Sequence, residues 1–266
     1  MTEQTILGGL DPDLIDRVVT RRDALRQTGQ RAGLLALASM PVAFGLMAKK
    51  AFAQGGLPAD IADVLNFALT LEYLESEFYM LGLAPGAVDV GVARPIFDQI
   101  SLHEAAHVLL LQQILGPLAI LKPTFDFTAG GAFNDVFSNA TTFITLAQAF
   151  EDTGVRAYKG QAPFVQSQAE VLTTALRIHS VEARHAAAVR RLAQSPGVKG
   201  WITGNDSAPV ALQPSYLGEE ITTQLGIDLL AFGTAAAASE AFDEPLTREE
   251  VDAIVAPFIV PEPPPA

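Results

Sequence analysis

No cysteine occurs among the 266 residues. That excludes disulfides, thiolate metal sites, a lipid-modified N-terminal cysteine and a rubredoxin-type iron centre. Basic residues are scarce: 17 Lys and Arg stand against 30 Asp and Glu, giving a formal charge of −13 and a pI near 4.6. Such a balance argues against nucleic acid and against anionic membrane surfaces as partners. The apolar run from Ala32 to Ala48 contains Pro41 and Gly45 and is 17 residues long, at the short limit for a spanning helix. A linker that would demand a second independent domain is also lacking.

That apolar run reads instead as part of an export signal. Thr20-Arg21-Arg22-Asp23-Ala24-Leu25-Arg26 resembles the twin-arginine pattern, with Asp23-Ala24 its less typical part. After the run, Lys49-Lys50 precede Ala51-Phe52-Ala53, an A-x-A cleavage pattern. Residues 1–53 are therefore expected to be a signal cleaved after Ala53, delivering the protein to the periplasm or beyond. Contact with membrane is expected only through that signal.

The remainder reads as helix. Apolar residues recur at helical spacing from about Pro58 to Leu81, from Gly91 to Leu115, from Asn139 to Lys159 and from Pro163 to Gln194. Pro58 and Pro95 suit first turns, Asn139 or the threonines after it suit a cap, and Ser195-Pro196-Gly197 suit a stop. Residues 117–138, rich in Pro, Gly, Phe and Asp, have no helical period and form a long middle connection. The expected fold is all-α, a four-helix bundle over residues 54–196 with its long crossover between helices 2 and 3. Residues 197–266 form a C-terminal extension: a loop-like start, an Ala-rich helix near Ile227–Phe242, and a last helix opened by the capping box Thr247/Glu250. The Pro-rich end, 261–266, is expected to fray.

The bundle carries one chemical pattern twice. Glu72, Tyr79 and Glu104-Ala-Ala-His107 are followed by Glu151, Tyr158 and Glu182-Ala-Arg-His185. The two glutamates and the two tyrosines repeat after 79 residues; the two Glu-x-x-His pairs repeat after 78. One Glu-x-x-His on a helix is usually surface. Two in register, each with an upstream glutamate, can hold two metal ions. In each helix the carboxylate falls inside the apolar stripe: Leu65, Leu69 and Tyr79 with Glu72; Phe97, Ile100, Leu111 and Ile114 with Glu104 and His107; Ile144, Ala147 and Tyr158 with Glu151; Ala175, Ile178, Val189 and Leu192 with Glu182 and His185.

Four anions facing one interior repel and cost several kcal/mol each to bury. Two divalent cations would neutralise them. Six oxygen and nitrogen donors suit iron(II) or manganese(II) better than a closed zinc site. Tyr79 and Tyr158 are read as core residues or as hydrogen-bond partners of the ligands. Ser76 and Gly154, one turn from the ligands, leave room for a small oxidant. Glu75 is the weaker alternative to Glu72, Asp152 is expected to be exposed, and Arg184 to point outward. His103-Glu104-Ala105-Ala106-His107 also matches the zinc-protease pattern H-E-x-x-H, but a zinc protease has no use for the second half. There His103 would be a ligand; in the bundle it faces partly away.

The segments "ALTLEYLESEFY", "HEAAHVLLLQQILG", "AFEDTGVRAYKG" and "EAFDEPLTREEVDAIVAPF" resemble the exported ferritin-like, desiccation-related proteins, and the two halves resemble the di-iron centres of bacterioferritin and rubrerythrin. The resemblance covers about residues 58–258. It implies a ferritin-like bundle with a dinuclear centre ligated by Glu72, Glu104, His107, Glu151, Glu182 and His185, with Glu104 and Glu182 as bridges. It also implies two iron ions reacting with dioxygen or hydrogen peroxide. The alternatives are two manganese ions disproportionating peroxide, or a stress-related structural protein that uses metal only for stability. The resemblance names metal ligands but no catalytic residue, and a homo-oligomer is compatible with it. Without a rubredoxin-like segment the usual peroxidase electron route is missing, and the extra tail departs from cage-forming ferritins.

Overall fold

The computed structural model describes residues 56–193, 199–205 and 210–261. The export signal, the stop at Ser195-Pro196-Gly197 and the tail from 262 onward lie outside the described residues. Four long helices position the site: α1 (Ala59–Gly82), α2 (Arg94–Leu115), α3 (Ala140–Val165) and α4 (Ala169–Ala193). α1 packs on α2, α3 packs on α4, and α1 also lies along α3. Residues 116–139 carry the chain from the first hairpin to the second, the one-crossover arrangement expected. No described helix is long and apolar enough to cross a membrane.

Local chemistry sets the helix ends. Pro58 precedes α1 and Pro95 lies in the first turn of α2, where a missing N–H costs nothing. Asn139 caps α3 by accepting the Thr141 N–H at 3.0 Å. Gly82 is the last residue of α1, and a Cβ there would stand 2.1 Å from the Phe143 ring. That close approach lets Phe78 stack on Phe143 at 4.6 Å and meet Phe150 edge-on at 5.1 Å. The crossover adds Phe127 and Phe137 to the same aromatic cluster.

Two helix boundaries differ from expectation. α3 runs past Lys159 to Val165 with Pro163 inside it, and α4 begins at Ala169. Pro163 lies within the last turn, where the lost hydrogen bond is a single one, and burial of Gln161 and Val165 rewards the extra turn. The Ala-rich stretch 227–242 is not one helix. Strands β1 (Thr223–Gln224) and β2 (Ile227–Asp228) pair across Leu225-Gly226, both at positive φ. A helix of only five residues, α5 (Ala235–Ser239), follows under a Thr234 cap. Asp228 accepts the Leu230 N–H, and this local capping outcompetes a continuous helix.

The extension wraps α3, so that helix is buried on every side from Leu146 to Tyr158. Arg156 is the clamp. Its guanidinium lies 2.9 Å from Glu219 and donates to the carbonyls of Ser215 (2.6 Å), Glu244 (2.7 Å) and Leu217. Gly160 allows the chain to pass: a Cβ there would meet the Leu246 carbonyl at 1.9 Å. The expected capping box of Thr247 and Glu250 opens α6 (Arg248–Val255). Asp152, expected on the surface, is buried. It accepts from Arg190 and, at 2.6 Å, from the Tyr216 hydroxyl of the extension. Its partners lie on other elements, which is why its own helix gave no hint of burial.

Replacing Arg156 by Met leaves the buried Glu219 with the Glu244 N–H but without its counter-charge. The expected cost is about 3–5 kcal/mol in urea unfolding with helical content retained; a change under about 1 kcal/mol would show that the clamp is idle.

Candidate metal centre

Each long helix delivers its acid to one point inside the bundle. Glu72 comes from α1, Glu104 and His107 from α2, Glu151 from α3, and Glu182 and His185 from α4. The four glutamates are 0 % exposed. Seams of apolar residues a turn above and below, among them Leu69, Ile100, Leu111, Ala147, Ile178 and Val189, exclude water from the cluster.

The donors sort into two overlapping sets, each with its ligand atoms within 4.8 Å of one another: Glu72, Glu104, His107 and Glu182; and Glu104, Glu151, Glu182 and His185. Glu104 and Glu182 belong to both. Their oxygens are divided between the sets. His107 Nδ1 lies 3.2 Å from Glu104 Oε2 and 3.0 Å from Glu182 Oε1. His185 Nδ1 lies 2.8 Å from Glu104 Oε1 and 3.5 Å from Glu182 Oε2. The outer glutamates face one histidine each, Glu72 Oε2 at 3.2 Å from His107 and Glu151 Oε2 at 3.2 Å from His185.

Several of these close pairs lack the alignment of hydrogen bonds. Glu104 Oε1, Glu151 Oε2, both Glu182 oxygens and His185 Nδ1 are buried without a hydrogen-bond partner despite their short separations. Proximity and alignment thus disagree, and alignment is the more telling. Lone pairs that miss each other while converging on common points are arranged for ions rather than for one another. The residues present therefore could hold metal.

Tyr79 and Tyr158 hydrogen-bond to the outer glutamates, but each crosses to the other half. Tyr79 donates to Glu151 Oε1 and Tyr158 to Glu72 Oε1, both at 2.5 Å. Burial first, then the adjacent carboxylate, holds each phenol well above its ordinary range, so both remain donors. The bond fixes one oxygen and turns the other inward.

Two neighbours behave differently from expectation. Glu75, the weaker alternative to Glu72, is itself buried beside the cluster. The hollow expected at Gly154 is partly filled, since a Cβ there would lie 3.0 Å from Glu75 Oε1. Ser76 is only partly buried. His103 is half-buried and belongs to neither donor set. Its Nδ1 lies 2.8 Å from His185 Nε2 and its Nε2 2.8 Å from Gln99. The H-E-x-x-H pair therefore does not meet at one point, which removes the protease reading. Arg184 is exposed, as expected.

Without metal the cluster holds protons. Burial raises Glu72 to about 8 against the attraction of His107, and burial raises Glu151 well above the carboxylate range. Burial opposes charge on Glu182 too, yet the adjacent imidazoles of His107 and His185 hold it at about 2. Burial likewise opposes charge on His185, but Glu104, Glu151 and Glu182 outweigh it and raise the imidazole to about 12.

Glu72 releases its proton at about 8 in the fold and near 4.5 unfolded. Between those values the folded chain holds the extra proton, so this group's stabilisation is lost as pH rises through them. His185 acts in the same direction above its unfolded value of 6.5. The metal-free protein should melt at a higher temperature near pH 5 than near pH 8. Metal binding at neutral pH should release protons, read as a buffer-dependent calorimetric enthalpy. A buffer-independent enthalpy would contradict this charge arrangement.

No curated protein sequence matches the chain. The family model of the ferritin-like domain matches residues 60–195, more than half of the chain, spanning α1 to α4 and all six converging donors. The chain belongs to the ferritin-like domain family.

Proposed function

We propose that the chain is an exported oxidoreductase with a dinuclear iron centre that reacts with dioxygen or hydrogen peroxide. One observation carries the reading: Glu104 and Glu182 each present one oxygen to either histidine, so six side chains define two adjoining ligand sets. Two divalent ions balance the four glutamates in charge. Glutamate and imidazole without thiolate is a donor set for redox-active first-row ions. Export rests on the twin-arginine-like segment and the A-x-A pattern.

Bound ferrous ions would supply one electron each, which with two protons takes dioxygen to hydrogen peroxide, or hydrogen peroxide to water. The chain's own residues do the positioning. Glu104 and Glu182 would serve both ions, His107 and Glu72 one, and His185 and Glu151 the other. Tyr158 and Tyr79 hold the far oxygens of those end glutamates, keeping one oxygen inward. The apolar seams exclude bulk water, so a proton reaching the site is held by a named carboxylate.

Iron(II) added without air to the metal-free protein should bind at two per chain. Admitting air should then give oxygen uptake and a rise in near-ultraviolet absorbance. Glu104→Ala combined with Glu182→Ala should abolish metal binding, and unchanged metal content in that variant would end the dinuclear reading. Oxygen evolved from peroxide only by the manganese-loaded protein would replace iron by manganese. Metal that raises the melting temperature without either reaction would make the centre structural.

A further inference from the structure

Glu75 is a buried acid that the six-donor set leaves over. It lies on α1 one turn beyond Glu72, inside the bundle. The internal repeat shows what is unusual about it. The 79-residue offset that maps Glu72 on Glu151 and Tyr79 on Tyr158 maps Glu75 on Gly154. Where the first half has a carboxylate, the second half has no side chain at all.

The structure uses that difference. A Cβ built on Gly154 would lie 3.0 Å from Glu75 Oε1 and 3.9 Å from Glu182 Oε2. Glu75 therefore reaches from α1 into the hollow that Gly154 leaves on α3, and Glu182 Oε2 borders the same hollow. That Glu182 oxygen is buried and has no hydrogen-bond partner. Of the two donor sets, only that of His185 includes Glu151, which stands on α3 one turn before Gly154.

We infer that Glu75 is a fifth carboxylate of the metal centre, committed to the position formed by Glu104, Glu151, Glu182 and His185, and that it makes the two metal positions unequal. The inference rests on the dinuclear reading above. Four glutamates balance two divalent ions; a fifth adds anionic charge to one side only. The position beside Glu75 binds its ion more tightly and fills first. Gly154 is the residue that permits this, because any side chain there would displace the Glu75 carboxylate.

The test is a titration of the metal-free full chain with manganese(II), following free ion by electron paramagnetic resonance and heat by calorimetry. The native chain should fill in two steps of different affinity. Glu75→Gln, which keeps the shape, should weaken the tighter step by about 10–100-fold and bring it towards the other. Glu75→Asp, which withdraws the carboxylate by one methylene, and Gly154→Ala, which crowds it, should weaken the same step by less. Circular dichroism on each variant checks that the bundle is intact. If Glu75→Gln folds and both steps keep their native affinities, the inference is overturned while the dinuclear reading stands. If Glu104→Ala also leaves both steps unchanged, the dinuclear reading itself fails. Should Glu75→Gln not fold, Glu75→Asp and Gly154→Ala decide by the same criterion.

Discussion

The structure depends on one electrostatic constraint: carboxylates from four helices meet where water is excluded. Ionised and unpaired, they would repel one another and oppose the packing that brings them together. The metal-free chain meets the constraint with protons and with two charged imidazoles, His107 and His185. Cations would meet it more completely, because they also use the oxygens that no hydrogen bond now satisfies. Stability and chemistry thus share the same few atoms. What folds the core also prepares it to take up ions.

The rest of the molecule can be understood as holding those atoms still. The cross-bonds from Tyr79 to Glu151 and from Tyr158 to Glu72 tie each half to the other. The aromatic cluster around Phe78 sets the spacing of α1 and α3 at one end of the bundle. The C-terminal extension closes the outer face of α3 through Arg156, and through Tyr216 bound to Asp152 beside Glu151. A helix covered on all sides has little freedom to turn its glutamate outward, and α3 is the helix so covered.

Much of the centre was legible in the sequence because it is written twice. The repeated Glu, Tyr and Glu-x-x-His register identifies residues that the structure brings together, and the four helices follow from apolar spacing and Pro, Gly and Asn punctuation. Three features were not legible, for three physical reasons. Glu75 lacks a counterpart in the repeat, so its meaning lies in the absence opposite it, at Gly154. Asp152 looks like a surface acid on its own helix, since its partners Arg190 and Tyr216 come from α4 and the extension. The stretch 227–242 has helix-forming alanines, but the Leu225-Gly226 turn and the Asp228 and Thr234 caps break it into a hairpin and one short helix.

X-ray absorption at the iron edge, on protein loaded with iron(II) and kept from air, tests the central claim most directly. The expected result is oxygen- and nitrogen-dominated coordination, with an iron–iron contribution at about 3.5–4 Å, as for ions sharing two carboxylates. Iron seen as isolated single ions, with no metal neighbour at full loading, would contradict it.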